Sequence, residues 1–414
     1  MRTILLGLCI FIASIGHAQR ECATTQYFDH LRSTDPNFQH RNEQAEGFLR
    51  QQRSAREFGG EVNSVIRIPV VVHIIYKNAA QNISDAQIKS QIDALNRDFR
   101  RKNADSVNTP ARFKSLAADV QIEFVLATAD PEGRATTGII RKQTTVGEWK
   151  LDDKIKYSAH GGDDAWDAAS YLNIWVGNMG RLLGYSSYVG STKDKDGVVI
   201  HHTAFGTENV TGPYNLGRTA VHEVGHWMGL KHLWGDTYCG DDQVDDTPKQ
   251  GNFTVGCPTA FRSSCSNGTM GDMYMNFMDY TNDACMNLFT AGQKQRMLNA
   301  FAAGGARNSL LSSKGLNTPW NHTEQPVEAA PVVVNNKLKF FPNPASSELT
   351  LDFDQSNTWI GKTITIVGLN GTVLSRIQIT ANNQKINLGN LKAGMYFLQA
   401  DNGGEKIREK FVKM

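Results

Sequence analysis

The 414-residue sequence predicts an α/β domain on a twisted mixed sheet, followed by a small all-β sandwich. Three observations carry that expectation. Over residues 65–202 a β-rich run, an amphipathic helix and further strand patterns succeed one another, the order of an α/β arrangement. A stretch rich in proline, acids and small residues then interrupts the chain at 318–334. Beyond it, short strand patterns recur at regular spacing to the C-terminus.

Taken in order, the N-terminus places Arg2 before an apolar run at 4–15 and then Gly16-His17-Ala18. The run is too short to span a bilayer, so it reads as a secretory signal, residues 1–18, cleaved after Ala18. No later segment approaches transmembrane length. Residues 19–58 are polar, with Phe28, Leu31, Phe38, Phe48 and Leu49 scattered, and read as an extended pro-segment. Residues 65–76 form a β-rich run interrupted by Pro69, which predicts an edge or irregular strand. Ser84 caps a helix with Ile88, Ile92, Leu95 and Phe99 on one face. Strands are expected at 120–127, 171–176 and 198–202, a helix at 216–230, and a last helix at 290–303 capped by Thr290. The expected divisions are therefore an α/β domain at 59–317, a linker at 318–336 and a β-sandwich at 337–414.

A formal charge of +2 with no dense Lys/Arg run gives no footprint for nucleic acid or an anionic membrane. Chemistry concentrates in His222-Glu223-Val224-Gly225-His226-Trp227-Met228-Gly229-Leu230-Lys231-His232. His222 and His226 project from one face of a helix and can share a cation, whereas Glu223 is displaced around it, as suits a base. Gly229 can take the left-handed conformation, end the helix and return the chain. His232 then supplies a third nitrogen, leaving one tetrahedral position open, as catalytic zinc requires. Chance alone gives His-Glu-x-x-His in about one chain of this size in a hundred; Gly229 and His232 in register lower that below about one in ten thousand. His73, His201 and His202 sit in strand patterns and read as structural.

The extended motif resembles that of the metzincin peptidases. Asn276-Phe277-Met278-Asp279-Tyr280 is similar to their Met-turn, with Met278 beneath the metal. Trp227-Met228-Gly229-Leu230, Asp245-Asp246-Thr247-Pro248 and the Met-Asp-Tyr turn followed by Cys285 resemble the pappalysins, in their bacterial cytophagalysin branch, over about residues 60–316. That likeness implies zinc on His222, His226 and His232, Glu223 as general base and Tyr280 as transition-state stabiliser. It implies calcium near Asp241, Asp242, Asp245, Asp246 and Thr247, an oxygen-rich stretch that also suits that ion. Leu183, Gly184 and Tyr185 resemble the edge strand that pairs antiparallel with substrate. Cleavage before Arg or Lys is implied as well.

Of six cysteines, Cys9 leaves with the signal, Cys239, Cys257, Cys265 and Cys285 can pair, and Cys22 is left over. Four cysteines allow three pairings; the resemblance implies Cys239–Cys265 and Cys257–Cys285. A pro-segment thiolate can close the open metal position, so Cys22 is a candidate cysteine switch that binds zinc in the latent form. Removal of the pro-segment is expected around residues 53–57, by self-cleavage before Arg53 or Arg56.

At the C-terminus, Phe341-Pro342-Asn343-Pro344, Leu391-Lys392-Ala393-Gly394-Met395-Tyr396 and Lys410-Phe411-Val412-Lys413 resemble the type A sorting domain of the type IX secretion system, here an immunoglobulin-like sandwich. The likeness implies passage through the periplasm and outer membrane, then release or surface attachment. The expectation is a secreted zinc endopeptidase acting on proteins, made as a zymogen. Two other readings stay open at this point: a zinc hydrolase of a non-protein amide, and a surface adhesin with a vestigial zinc site.

Overall fold

A computed structural model describes residues 22–50, 65–321, 339–353, 359–369, 371–401 and 406–414. The signal with Cys9 and Ala18, the cleavage region at Arg53 and Arg56, and most of the 318–336 linker lie outside them. The chain divides into two compact units, Met1–Gln325 and Pro326–Met414.

The first unit opens with two helices, α1 (Thr24–Thr34) and α2 (Phe38–Arg50), where an extended segment was expected. Their few apolar residues pack on the sheet as well as on one another: Tyr27, Leu31, Phe38 and Leu49 are all buried, and the Phe28 and Phe38 rings lie 5.9 Å apart. There follow β1 (Ile66–Tyr76), α3 (Asp85–Phe99), the short α4 (Ala111–Lys114), β2 (Ile122–Leu126), β3 (Ile139–Gln143), β4 (Leu172–Gly177), β5 (Gly184–Ser186) and β6 (Gly197–His201). Helices α5 (Arg218–Trp227) and α6 (Ala291–Asn299) complete the unit. Ser84 accepts from Gln87 N–H, and Thr290 forms a reciprocal capping box with Gln293.

The sheet runs β2-β1-β4-β6-β5, with β3 also on β1, and only β5 is antiparallel to its neighbour. Strand β1 is therefore central, not an edge. Pro69 is tolerated because its missing N–H faces the β4 side, where pairing begins only at Val70. Strand β5 ends the order on one side and β2 on the other. Side chains alternate across the sheet. Val70, Val72 and Ile74 join α3 and α5 residues in the main core. Ile75, Trp175, Val199 and Tyr185 point to the other face, where Tyr27, Leu31 and Phe38 cover them.

Two buried arginines fix the ends of α5. Arg218 donates to Asp105 at 2.6 and 2.9 Å and to Asp98 at 3.1 Å. Arg307 pairs with buried Asp196, donates to Trp227 O at 3.1 Å, and lies 4.0 Å from the Trp227 ring centroid. Asp196 also accepts from Trp227 Nε1 at 3.0 Å.

The second unit contains β7 (Lys339–Phe341), β8 (Glu348–Asp352), β9 (Thr363–Gly368), β10 (Val373–Gln378), β11 (Asn383–Asn387), β12 (Gly394–Asp401) and β13 (Lys406–Lys413). They form antiparallel sheets ordered β10-β9-β12-β13 and β11-β8-β7. Leu349 and Leu351 from one sheet share a core with Ile364, Ile366 and Leu398 from the other.

Arg307→Ala would leave the Asp196 carboxylate buried without its cation. We expect a loss of about 3–5 kcal/mol in unfolding free energy, read from urea denaturation. A change below about 1 kcal/mol would show that this pair does not hold α5.

Candidate active site

His222 and His226 stand one turn apart on α5, and both are buried. The helix stops where the sequence predicts: Gly229 has φ +93, and Leu230 N–H returns to Gly225 O at 3.0 Å. That reversal brings His232 back under the helix. The three Nε2 atoms converge, 3.1 Å between His222 and His226, 3.0 Å between His226 and His232, and 3.3 Å between His222 and His232. The Cys22 Sγ lies 3.6 Å from His226 Nε2, and all four donor atoms fall within 4.8 Å of one another.

The opposite ring nitrogens fix the protons. His222 Nδ1 faces Phe277 O at 2.7 Å, His226 Nδ1 faces Leu230 O at 2.8 Å, and His232 Nδ1 faces Asp236 Oδ1 at 2.5 Å. Carbonyls and a carboxylate only accept, so each Nδ1 carries its ring's proton and each Nε2 presents a bare lone pair. Three lone pairs aimed at one buried point repel unless a cation lies between them. Zinc fits: nitrogens about 2.0–2.1 Å from one tetrahedral ion stand about 3.3 Å apart, and a thiolate at about 2.3 Å stands about 3.6 Å from each.

Burial pushes the His226 pKa down to about 3, which keeps it a neutral ligand. Burial opposes ionisation of Asp236, yet the hydrogen bond from His232 holds its carboxyl down to about 2. Sequence reading missed Asp236, although a carboxylate four residues after the third histidine was a usable signal. Its partner ring His232 is also stacked by Trp234, centroids 4.4 Å apart.

Below the histidines, Met278 is fully buried, and a Cβ on Gly225 would come within 2.6 Å of its sulfur. Only glycine admits this contact. Asn276 Oδ1 accepts Met278 N–H at 2.9 Å, and buried Asp279 accepts from Thr254 N–H at 2.6 Å and Tyr280 N–H at 2.7 Å. Burial pushes the Asp279 carboxyl up to about 6. The Tyr280 ring meets His232 edge-on at 4.9 Å.

Residues 22–25 engage each part of this site. The Tyr280 hydroxyl donates to Cys22 O at 3.2 Å. Ala23 N–H donates to Gly184 O at 2.9 Å, a parallel bridge to β5. Thr24 Oγ1 donates to Glu223 Oε2 at 2.9 Å and accepts Ser186 N–H at 3.0 Å. Thr25 Oγ1 donates to Asp236 Oδ1 at 2.9 Å. Burial, and next the charge of Glu223, push the Cys22 thiol up. Thr24 and Thr25 carried no motif in the sequence and were not foreseen.

Of the edge residues, Leu183 O accepts from His201 N–H at 2.8 Å, and a Cβ on Gly184 would lie 3.1 Å from Glu223 Cγ. Tyr185 points to the far face of the sheet and is fully buried. His73 is bonded to Asp163 at 2.6 Å and Asn173 at 3.1 Å. His201 is lowered by burial to about 4 and bonded to Thr203. His202 is lowered by burial as well.

The five residues expected near calcium all lie in the loop that follows the third histidine. Asp241 and Asp245 are exposed, and Asp246 accepts from Thr290 Oγ1 at 2.6 Å and Gly292 N–H at 2.8 Å at the start of α6. Asp242, pushed up to about 7 by burial, accepts from Thr247 Oγ1 at 2.8 Å. Disulfides join Cys239 to Cys265 and Cys257 to Cys285, over separations of 26 and 28 residues. Each cross-link contributes about 3 kcal/mol by chain entropy to an otherwise irregular region.

Comparison with known proteins points the same way. Residues 156–302 match the family model described as pregnancy-associated plasma protein-A, and residues 339–414 match the secretion system C-terminal sorting domain. An extracellular metalloprotease of Pyricularia oryzae is 32% identical over 255 residues, covering 58% of this chain and 76% of its own. One from Uncinocarpus reesii is 30% identical over 268 residues, covering 61% and 84%. Among solved structures, Tannerella forsythia mature mirolysin in complex with a cleaved peptide shares 50% identity at TM-score 0.59, covering 60% of this chain and 96% of that one. A Tannerella forsythia promirolysin mutant shares 45% identity at TM-score 0.66, covering 71% and 97%.

Asp236→Ala removes the acceptor that orients the His232 ring. We expect zinc affinity, measured by chelator competition, to fall about 10–100-fold. Unchanged affinity would mean that the His232 ring is set by its stacking on Trp234 alone.

Proposed function

The chain belongs to the pappalysin family of zinc metalloendopeptidases, and we propose that the form described above is its zymogen, closed by residues 22–25. The observation that carries this reading is the meeting of three proton-free imidazole nitrogens with the Cys22 thiol, all buried, beside Glu223. The greater share of the chain covered by the promirolysin structure than by mature mirolysin supports a precursor form.

His222, His226 and His232 would hold the zinc, which when bound supplies polarisation of the scissile carbonyl and a lowered pKa for water. Glu223 takes the proton from the attacking water and returns it to the leaving amine. Tyr280 turns its hydroxyl, engaged here by Cys22 O, to the substrate carbonyl oxygen as negative charge develops on it. The Gly184 backbone offers the edge to which a substrate strand adds antiparallel. Residues 22–24 run parallel to that edge, opposite to a substrate, while Thr24 holds the base and Cys22 stands as fourth ligand.

Family likeness supports two finer proposals, preference for Arg or Lys just after the cut and self-cleavage before Arg53 or Arg56. The sorting tail implies export by the type IX machinery, and no described helix is long and apolar enough to cross a membrane. We assign the pro-segment to 19–58, the catalytic domain to 59–317 and an immunoglobulin-like sorting sandwich to 337–414; two antiparallel sheets around one core support the last. For calcium we propose the loop of Asp241, Asp242, Asp245, Asp246 and Thr247, supported by family likeness.

Casein hydrolysis by the full chain and its variants tests the proposal. Glu223→Ala should lower kcat of the activated protein about 10²–10⁴-fold, and chelation should abolish turnover. Cys22→Ala should activate early or degrade itself. A Glu223→Ala protein as active as wild type would refute the mechanism, and a Cys22→Ala protein as latent as wild type would refute the switch.

A further inference from the structure

Tyr27 belongs to the pro-segment but takes no part in closing the metal site. Its side chain lies across the sheet from α5, fully buried against the β5 residue Tyr185, ring centroids 4.8 Å apart. The hydroxyl donates to Asp153 Oδ2 at 2.7 Å. The other oxygen of that carboxylate takes Tyr185 OH at 3.2 Å and Lys156 Nζ at 2.9 Å. The Lys156 side chain is wholly buried, with its ammonium 5.2 Å from the Tyr27 ring centroid and 5.0 Å from that of Tyr185. The result is a built pocket: an aromatic wall, a cation beside it, and a buried carboxylate at the bottom that receives a phenol.

We propose that, once the pro-segment leaves, the Tyr27 pocket becomes a substrate subsite for a tyrosine side chain on the N-terminal side of the scissile bond. The inference rests on the zymogen reading above, because only departure of residues 22–50 opens the pocket. Its side of the cleft follows from strand direction. Gly184 stands beside Glu223, and a substrate antiparallel to β5 meets Tyr185 and Ser186 as it is followed toward its own N-terminus. Residues alternate across an added strand, so one substrate side chain in two points to the Tyr185 face.

Selectivity follows from the floor of the pocket. Departure of Tyr27 takes the phenol donor from a buried carboxylate oxygen. A phenylalanine would refill the ring space and leave that oxygen without the bond, and a site built around a hydroxyl rejects the analogue that lacks it. Arginine or lysine would bring a second cation against buried Lys156, a repulsion that excludes basic side chains here.

The test uses wild-type protein, activated and freed of its pro-segment, on peptides that carry Tyr, Phe, Ala or Arg at each position preceding a fixed cut. Tyr should exceed Phe in kcat/KM by about tenfold or more at one position, with Arg lowest there. Asp153→Asn, checked for folding by its melting temperature, should shrink that Tyr-over-Phe ratio. In the full chain, Tyr27→Phe should shorten the activation half-time. Equal rates for Tyr and Phe at every position, or Tyr27→Phe activation at the wild-type rate, would overturn the subsite while peptidase activity stands. A full chain already as active as the processed protein would instead overturn the zymogen reading beneath it.

Discussion

Repulsion among three imidazole lone pairs, held 3.0–3.3 Å apart in a buried site, is the constraint that the surrounding fold exists to overcome. No histidine is free to turn away, because each Nδ1 is tied to a different stretch of chain: Phe277 in the Met-turn, Leu230 in the reversal after α5, and Asp236 in the loop beyond. The arrangement needs α5 fixed at both ends, which buried Arg218 and Arg307 accomplish, and it needs the irregular 239–285 region to hold still, which two disulfides accomplish. Gly225 and Gly229 are required for geometric reasons, one by the sulfur of Met278 and the other by a left-handed turn. Stability and chemistry thus share the same contacts.

The N-terminal helices use both faces of the sheet. On the α5 side, consecutive residues from Cys22 to Thr25 meet the metal donors, the oxyanion donor, the edge strand, the base and the carboxylate behind His232. On the opposite side, Tyr27, Leu31 and Phe38 lie over Tyr185 and Trp175. Each residue of the latch contributes one or two modest contacts, so closure is distributed along the segment. Both carboxylate oxygens of Glu46 in α2 accept from Arg296 Nη2, at 2.8 and 2.9 Å, and Arg296 Nε also donates to Gly229 O at 2.7 Å. The closed form is therefore tied to the same turn that positions His232.

Much of this was legible in the sequence because its signals are local. Helical spacing puts His222 and His226 on one face, a glycine three residues later ends the helix, and Ser84 and Thr290 announce their helices. What escaped depends on contacts distant in sequence. Pro69 suggested an edge strand, but the parallel register leaves its side of β1 unpaired only up to Val70. The apolar residues of α1 and α2 read as scattered because their partners lie in the sheet, far along the chain. Short strands β3, β7 and β11 lack clean alternation and become strands through their neighbours.

The central claim is that one zinc ion resolves the clash of the three imidazoles, with the Cys22 sulfur as its fourth neighbour in the closed form. Zinc K-edge X-ray absorption on the full chain tests it most directly. The account predicts three nitrogen scatterers and one sulfur, the sulfur vanishing in Cys22→Ala. A first shell of nitrogen and oxygen alone in the wild-type closed chain would contradict it.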